Sequence, residues 1–125
     1  KKMIEKFLNK ISFFENIKNF DIIIDDGSHI LSDQLKAIDY FFKYLNKDGY
    51  YVIEDYRFSE YIPHLKDTDD PCVKEIFETL KKNYKKDFKF ISRETLENLR
   101  RNSSNIFEYK GNQKISSIAF IKKSN

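Results

Sequence analysis

The chain has 125 residues, enough for one domain with a modest core, and no apolar run near membrane-spanning length, which excludes two full domains and a transmembrane helix. A hydrophobic fraction of 40% with 16% aromatic residues excludes a disordered chain, and 23 basic against 20 acidic side chains leave no electrostatic footprint for nucleic acid or an anionic membrane. The single cysteine, Cys72, cannot make an internal disulfide and no signal peptide is visible, so a reducing cytoplasm is the expected setting.

The chain opens Lys1-Lys2-Met3 rather than on an initiator methionine, which gives the expectation of a fragment. Met3, Ile4, Phe7, Leu8 and Ile11 recur at helical spacing and predict an amphipathic helix over the first dozen residues, with an apolar connector through Phe13, Phe14 and Ile17. A strand follows over residues 21–25. Its Ile22-Ile23-Ile24 run does not alternate, the pattern of a parallel strand covered by helices on both faces.

Ser32 is placed to cap the next helix, with Asp33 in its first turn and Leu35, Ile38, Phe41, Phe42 and Leu45 as its apolar face, before Lys47-Asp48-Gly49 ends it. A second strand over residues 50–54 completes a right-handed βαβ unit, so both strands are parallel and their C-terminal ends share one edge of the sheet. Residues 56–70 read as a loop ending in an Asp70 cap with Pro71 at the first helical position; Val73, Ile76, Phe77, Leu80 and Tyr84 are the stripe of the helix beyond. A short strand over 88–91 and a short helix over 95–101 precede a terminal hairpin, residues 106–110 and 115–122 around Gly111-Asn112. The fold class expected is α/β, a partial Rossmann-like sheet, mostly parallel with a C-terminal antiparallel hairpin and helices on both faces.

In open α/β sheets ligands bind beyond the carboxyl ends of the strands. Here the first strand delivers Asp25-Asp26-Gly27-Ser28-His29 and the second delivers Glu54-Asp55, one βαβ step later. Carboxylates that converge repel one another unless a cation lies between them. Three carboxylates suit Mg2+, which takes oxygen ligands and keeps positions open for water or substrate. His29, beyond the glycine turn and near a helix N-terminus that disfavours the imidazolium, suits a neutral base. The plainer reading, in which Asp25 and Asp26 only cap or turn the chain, explains one acidic pair and not two.

Taken together, DIIIDDGSH and YYVIEDY resemble the paired signatures of a bacterial family that includes macrocin and mycinamicin sugar O-methyltransferases and cephalosporin hydroxylase-like proteins. The resemblance runs from about Phe20 to Lys122 and takes in the closing ISSIAFIKK. It implies a class I methyltransferase fold, S-adenosylmethionine and Mg2+ as cofactors, Asp26, Glu54 and Asp55 as metal ligands, and His29 as general base. Asp25 falls on the cofactor side or orients the turn. The implied acceptor is a sugar-containing small molecule, with neither nucleic acid nor membrane as partner and a homo-oligomer left open. The family's glycine-rich cofactor turn has no counterpart among Gly27, Gly49 and Gly111, so the chain reads as the C-terminal portion of one such domain, residues 1–125, expected to bind S-adenosylmethionine poorly on its own.

Tyr56, Arg57, Tyr61 and His64 lie in the loop after the second acidic pair and are candidate substrate contacts. The Lys81-Lys82-Asn83-Tyr84-Lys85-Lys86 cluster is assigned to the exposed end of a helix, where cations suit the dipole. Two other function classes stay open at this point. One is a methyltransferase remnant acting as an interaction module. The other is a Mg2+-binding receiver-like signalling domain, against which speaks the absence of a Lys-Pro pair after a later strand.

Overall fold

The computed structural model describes residues 19–124. The helix expected over the first dozen residues and its connector lie outside them. Four strands form one sheet in the order β1-β2-β4-β3: β1 is Phe20–Asp25, β2 Leu45–Glu54, β3 Ile106–Lys110 and β4 Ser117–Lys122. Four α-helices connect or flank them: α1 (Leu31–Phe41), α2 (Phe58–Tyr61), α3 (Val73–Lys81) and α4 (Arg93–Arg101).

β1 and β2 pair in parallel across α1, as the βαβ reading requires. The rest of the sheet is antiparallel, because β4 returns from the hairpin to lie between β2 and β3. The sheet is therefore mixed with one parallel pair, not mostly parallel.

Its two faces differ. Ile23, Tyr51, Ile53, Ala119, Ile121 and Ile106 pack with the stripes of α1, α3 and α4 into one core. On the opposite face Ile22 and Ile24 are each 60% exposed, and Tyr50, Phe107 and Tyr109 are exposed too. Among the described residues the helices gather on one face. The isoleucine run records a strand whose composition suits burial on both sides, and only one side is covered by the described residues.

Helix boundaries show what local pattern missed. The N-cap position of α1 is Ile30, whose side chain cannot cap. Ser32 lies inside the first turn, where its N–H donates to Asp67 Oδ1 at 3.0 Å and its hydroxyl donates to Asp67 Oδ2. A loop residue 35 positions away thus caps the helix. α1 ends at Phe41 in a 3-10 turn, Phe42–Tyr44, and Lys47-Asp48-Gly49 belongs to β2. A register shift between Phe20 and Ile22 accommodates the extra residues, with Asp48 at φ 66°. Gly49 is required by close approach, since a Cβ there would stand 2.7 Å from Asp21 O and 2.9 Å from Asn46 O.

The loop over 56–70 contains α2 and a 3-10 turn, Pro63–Leu65. Asp70 does not cap α3, which starts after Cys72; its carboxylate accepts the N–H groups of Lys89 and Phe90 at 2.9 and 3.1 Å. Those bonds hold residues 88–91 as a bend instead of the expected strand, with Phe88 and Ile91 still buried. Tyr84 is 63% exposed and lies beyond α3, so it leaves the predicted stripe. Ser92 caps α4, accepting from Thr95 N–H.

Candidate functional site

β1 and β2 end side by side, Asp25 in register with Ile53, so the segments that follow them start from neighbouring positions on one edge. Asp25 Oδ1 accepts the Gly27 N–H at 3.0 Å, closing a short side-chain turn that throws Asp26 outward. Burial raises the Asp25 carboxyl above its ordinary value, against the lowering effect of that bond. Ser28 continues the turn: its hydroxyl donates to Asp33 and accepts from Ile30 N–H, leading the chain into α1.

His29 and Asp55 both sit at positive φ, 62° and 55°. Left-handed backbone costs a non-glycine residue about 1–2 kcal/mol, and its concentration at one spot is a mark of function. The two turns bring His29 Nε2 to 3.6 Å from Asp55 Oδ2 and 3.9 Å from Asp26 Oδ1. These gaps are too long for hydrogen bonds. Phe58, in α2, meets the imidazole edge-on with ring centroids 4.8 Å apart.

Asp26, His29 and Asp55 each offer a ligand atom, all within 4.8 Å of one another. Two carboxylates and one imidazole fit a divalent cation, with positions left for water or substrate. Of the expected carboxylates, Glu54 does not join this cluster. It is the last residue of β2 and lines the apolar crevice of the open face with Ile22, Ile24, Val52 and Phe120.

The expected substrate contacts separate. Tyr56 is 2% exposed and packs against Phe77, and it borders the same cavity as Arg57 and Tyr61. Arg57 makes a two-pronged bond to Glu60 at 2.8 and 2.9 Å and lies over the Tyr61 ring. Arg57 and Tyr61 line a cavity of about 230 Å³ closed by the β3–β4 hairpin, and His64, on the 3-10 turn, does not.

Glu108 is the residue that local pattern did not single out. Its carboxylate accepts the Tyr56 hydroxyl at 2.7 Å and the ammonium groups of Lys74 and Lys81 at 3.2 Å each. Burial alone would raise its pKa, and the three donors together hold it below the ordinary carboxylate value. Burial, then the bond to Glu108, push the Tyr56 phenol up. The available signal was that Glu108 falls in the inward phase of β3 with Ile106.

No protein-family model matches the chain. It is 48% identical over 44 residues to L-olivosyl-oleandolide 3-O-methyltransferase of Streptomyces antibioticus, a match taking in 35% of this chain and 11% of that enzyme. MycE methyltransferase from the mycinamycin biosynthetic pathway, solved with Mg and SAH, is 25% identical, with a TM-score of 0.57 over 96% of this chain and 30% of that one. The same enzyme holding Mg, SAH and mycinamycin VI superposes with a TM-score of 0.58 at 23% identity, a likeness of fold, over 96% of this chain and 29% of that one.

The mixed α/β sheet and its sequence relatives relate the chain to the Mg- and S-adenosylmethionine-dependent sugar O-methyltransferases. Among the enzymes of that class the chain is similar to MycE over nearly all of its own length, and it spans 30% of MycE. No described helix is long and apolar enough to cross a membrane.

Proposed function

We infer that this chain supplies the metal-binding and acceptor-activating part of a Mg2+- and S-adenosylmethionine-dependent O-methyltransferase acting on a hydroxyl of a sugar or glycosylated small molecule. The observation that supports this reading is the convergence of Asp26, His29 and Asp55 at the ends of two parallel strands. Asp26 and Asp55 would hold the metal, while Glu54, on the open face of the sheet, stands outside their cluster. Mg2+, when bound, supplies a lowered pKa for a coordinated hydroxyl.

Asp26 and Asp55 also set the charge around His29, whose Nε2 faces both. His29 Nε2 would accept the proton of the acceptor hydroxyl; S-adenosylmethionine, when bound, would supply an electrophilic methyl carbon and leave as a neutral thioether. The edge-on Phe58 ring restricts the imidazole so that Nε2 keeps this direction. Arg57 and Tyr61, beside the 230 Å³ cavity, are the residues placed to meet the acceptor. The methyl-donor half is assigned to the portion of the relatives' length that this chain does not span, and Asp25 to shaping the turn.

Calorimetric and electron-paramagnetic titration of the chain with Mn2+ tests the reading. One bound ion is expected, lost in Asp26→Asn and Asp55→Asn, while S-adenosylmethionine added alone gives no heat. Mn2+ binding unchanged in both aspartate variants would refute the metal assignment, and tight S-adenosylmethionine binding would refute the division of the domain. Methyl transfer to sugar acceptors by this sequence joined to a methyl-donor half, abolished by His29→Ala, is the corresponding functional assay.

A further inference from the structure

We propose that Tyr56 and Glu108 are positioning residues that hold Asp55 in its left-handed conformation and so aim its carboxylate at His29; the link to metal binding rests on the reading above. Asp55 stands just past β2 at φ 55°, and its N–H donates to Ser117 O of β4 at 2.6 Å. That bond fixes the peptide on one side of Asp55. The peptide on the other side, whose Asp55 carbonyl accepts the Phe58 N–H at 3.1 Å, leads into Tyr56, whose ring is buried against Phe77 and whose hydroxyl donates to Glu108 Oε1.

Both anchors come from elements remote in sequence. Glu108 stands on β3, 52 residues from Tyr56, and is itself held by Lys74 of α3 and Lys81 at that helix's end. A buried phenol that loses its acceptor is an unsatisfied donor, and the local answer is for the ring to turn toward water. Turning Tyr56 outward moves the peptide that follows Asp55. That displacement pulls on the bond from Phe58 N–H to the Asp55 carbonyl, and a left-handed aspartate whose second side is loosened relaxes to ordinary backbone, which redirects its carboxylate away from His29. The cluster therefore depends on a phenol–carboxylate bond in the core that touches neither His29 nor Asp26.

The test compares Tyr56→Phe, Glu108→Ala and Glu108→Gln in the full chain, with Leu96→Ala on α4 as a control for plain loss of stability. Two readouts are taken: the Mn2+ dissociation constant, and the Asp55 amide and Hα resonances without metal. Glu108→Ala is expected to weaken Mn2+ about tenfold and to shift the Asp55 resonances, while Tyr56→Phe, which leaves no unpaired hydroxyl, is expected to remain within about twofold. Glu108→Gln, which still offers an oxygen to Tyr56, is expected to remain within about twofold, and Leu96→Ala to leave both readouts unchanged. Unshifted Asp55 resonances in Glu108→Ala would overturn the proposal whatever the metal does. Shifted resonances in a chain that binds no Mn2+ would uphold the positioning and remove the metal reading instead.

Discussion

Replacing Asp67 by alanine removes the cap of α1, although Asp67 is neither in that helix nor next to it. The carboxylate accepts the Ser32 N–H at 3.0 Å and the Ser32 hydroxyl, and no side chain at the N-cap position can take its place. Loss of a cap costs about 1 kcal/mol, and the Ser32 hydroxyl, in a residue only 6% exposed, is left without its acceptor at a further cost of about 1–2 kcal/mol. A total of about 2–3 kcal/mol lowers the melting temperature of a domain of this size by roughly 8–12 °C. Ser32→Ala is expected to cost only about 1 kcal/mol, because the freed carboxylate is exposed and returns to water.

Acid adds a second criterion for Asp67. Burial alone would raise its pKa, but the bonds from Ser32 outweigh that and the net shift is downward. A depressed folded-state pKa contributes stability above the ordinary carboxylate value and loses it as the pH falls through the folded one. Melting curves followed by circular dichroism at pH 7 and pH 3 should therefore show a wide gap between wild type and Asp67→Ala that narrows in acid. Coincident curves at pH 7 would refute the capping argument.

Two further predictions concern packing. Gly49→Ala forces a Cβ against two carbonyl oxygens closer than 3.0 Å and should destabilise the chain by about 1–3 kcal/mol in urea unfolding; a smaller effect would mean that the register shift in β2 adjusts freely. Ile24→Ser on the open face should change stability by no more than about 0.5 kcal/mol, whereas Ile53→Ser, fully buried on the neighbouring strand, should cost about 3 kcal/mol or more. Equal losses at the two positions would show that the face bearing Ile24 is covered in solution.

Much of the architecture was legible because it is local. The parallel βαβ unit follows from two short apolar runs and one amphipathic stretch, and the acidic signatures fall at the strand ends where a ligand crevice belongs. What escaped is what distant segments supply. Ser32 looked like a cap because serine is a good one, yet the cap comes from Asp67 across the loop. Asp70 beside Pro71 looked like a helix start, but its carboxylate instead fastens residues 89 and 90. Tyr56 stood out by its place after Glu54-Asp55, while Glu108, which draws its hydroxyl into the core, could not be paired with it from spacing alone. The isoleucine triplet of β1 was read as buried on both faces; it is a statement of composition, and the partner for one face is not among the described residues.

The insertion of β4 between β2 and β3 has a kinetic side. β1, α1 and β2 are contiguous and can associate early, bringing both acidic signatures to one edge. The Asp55 anchor on Ser117 arrives only when the chain has closed a long loop across α2, α3 and α4 and the hairpin has docked. Long-range closure of this kind is slow because its entropy is spent before its contacts form. During refolding, helical signal should thus recover ahead of the ability to hold a metal ion, and an ion that binds only the finished geometry draws the population toward it by mass action. The metal centre becomes a clock for the final step of the fold.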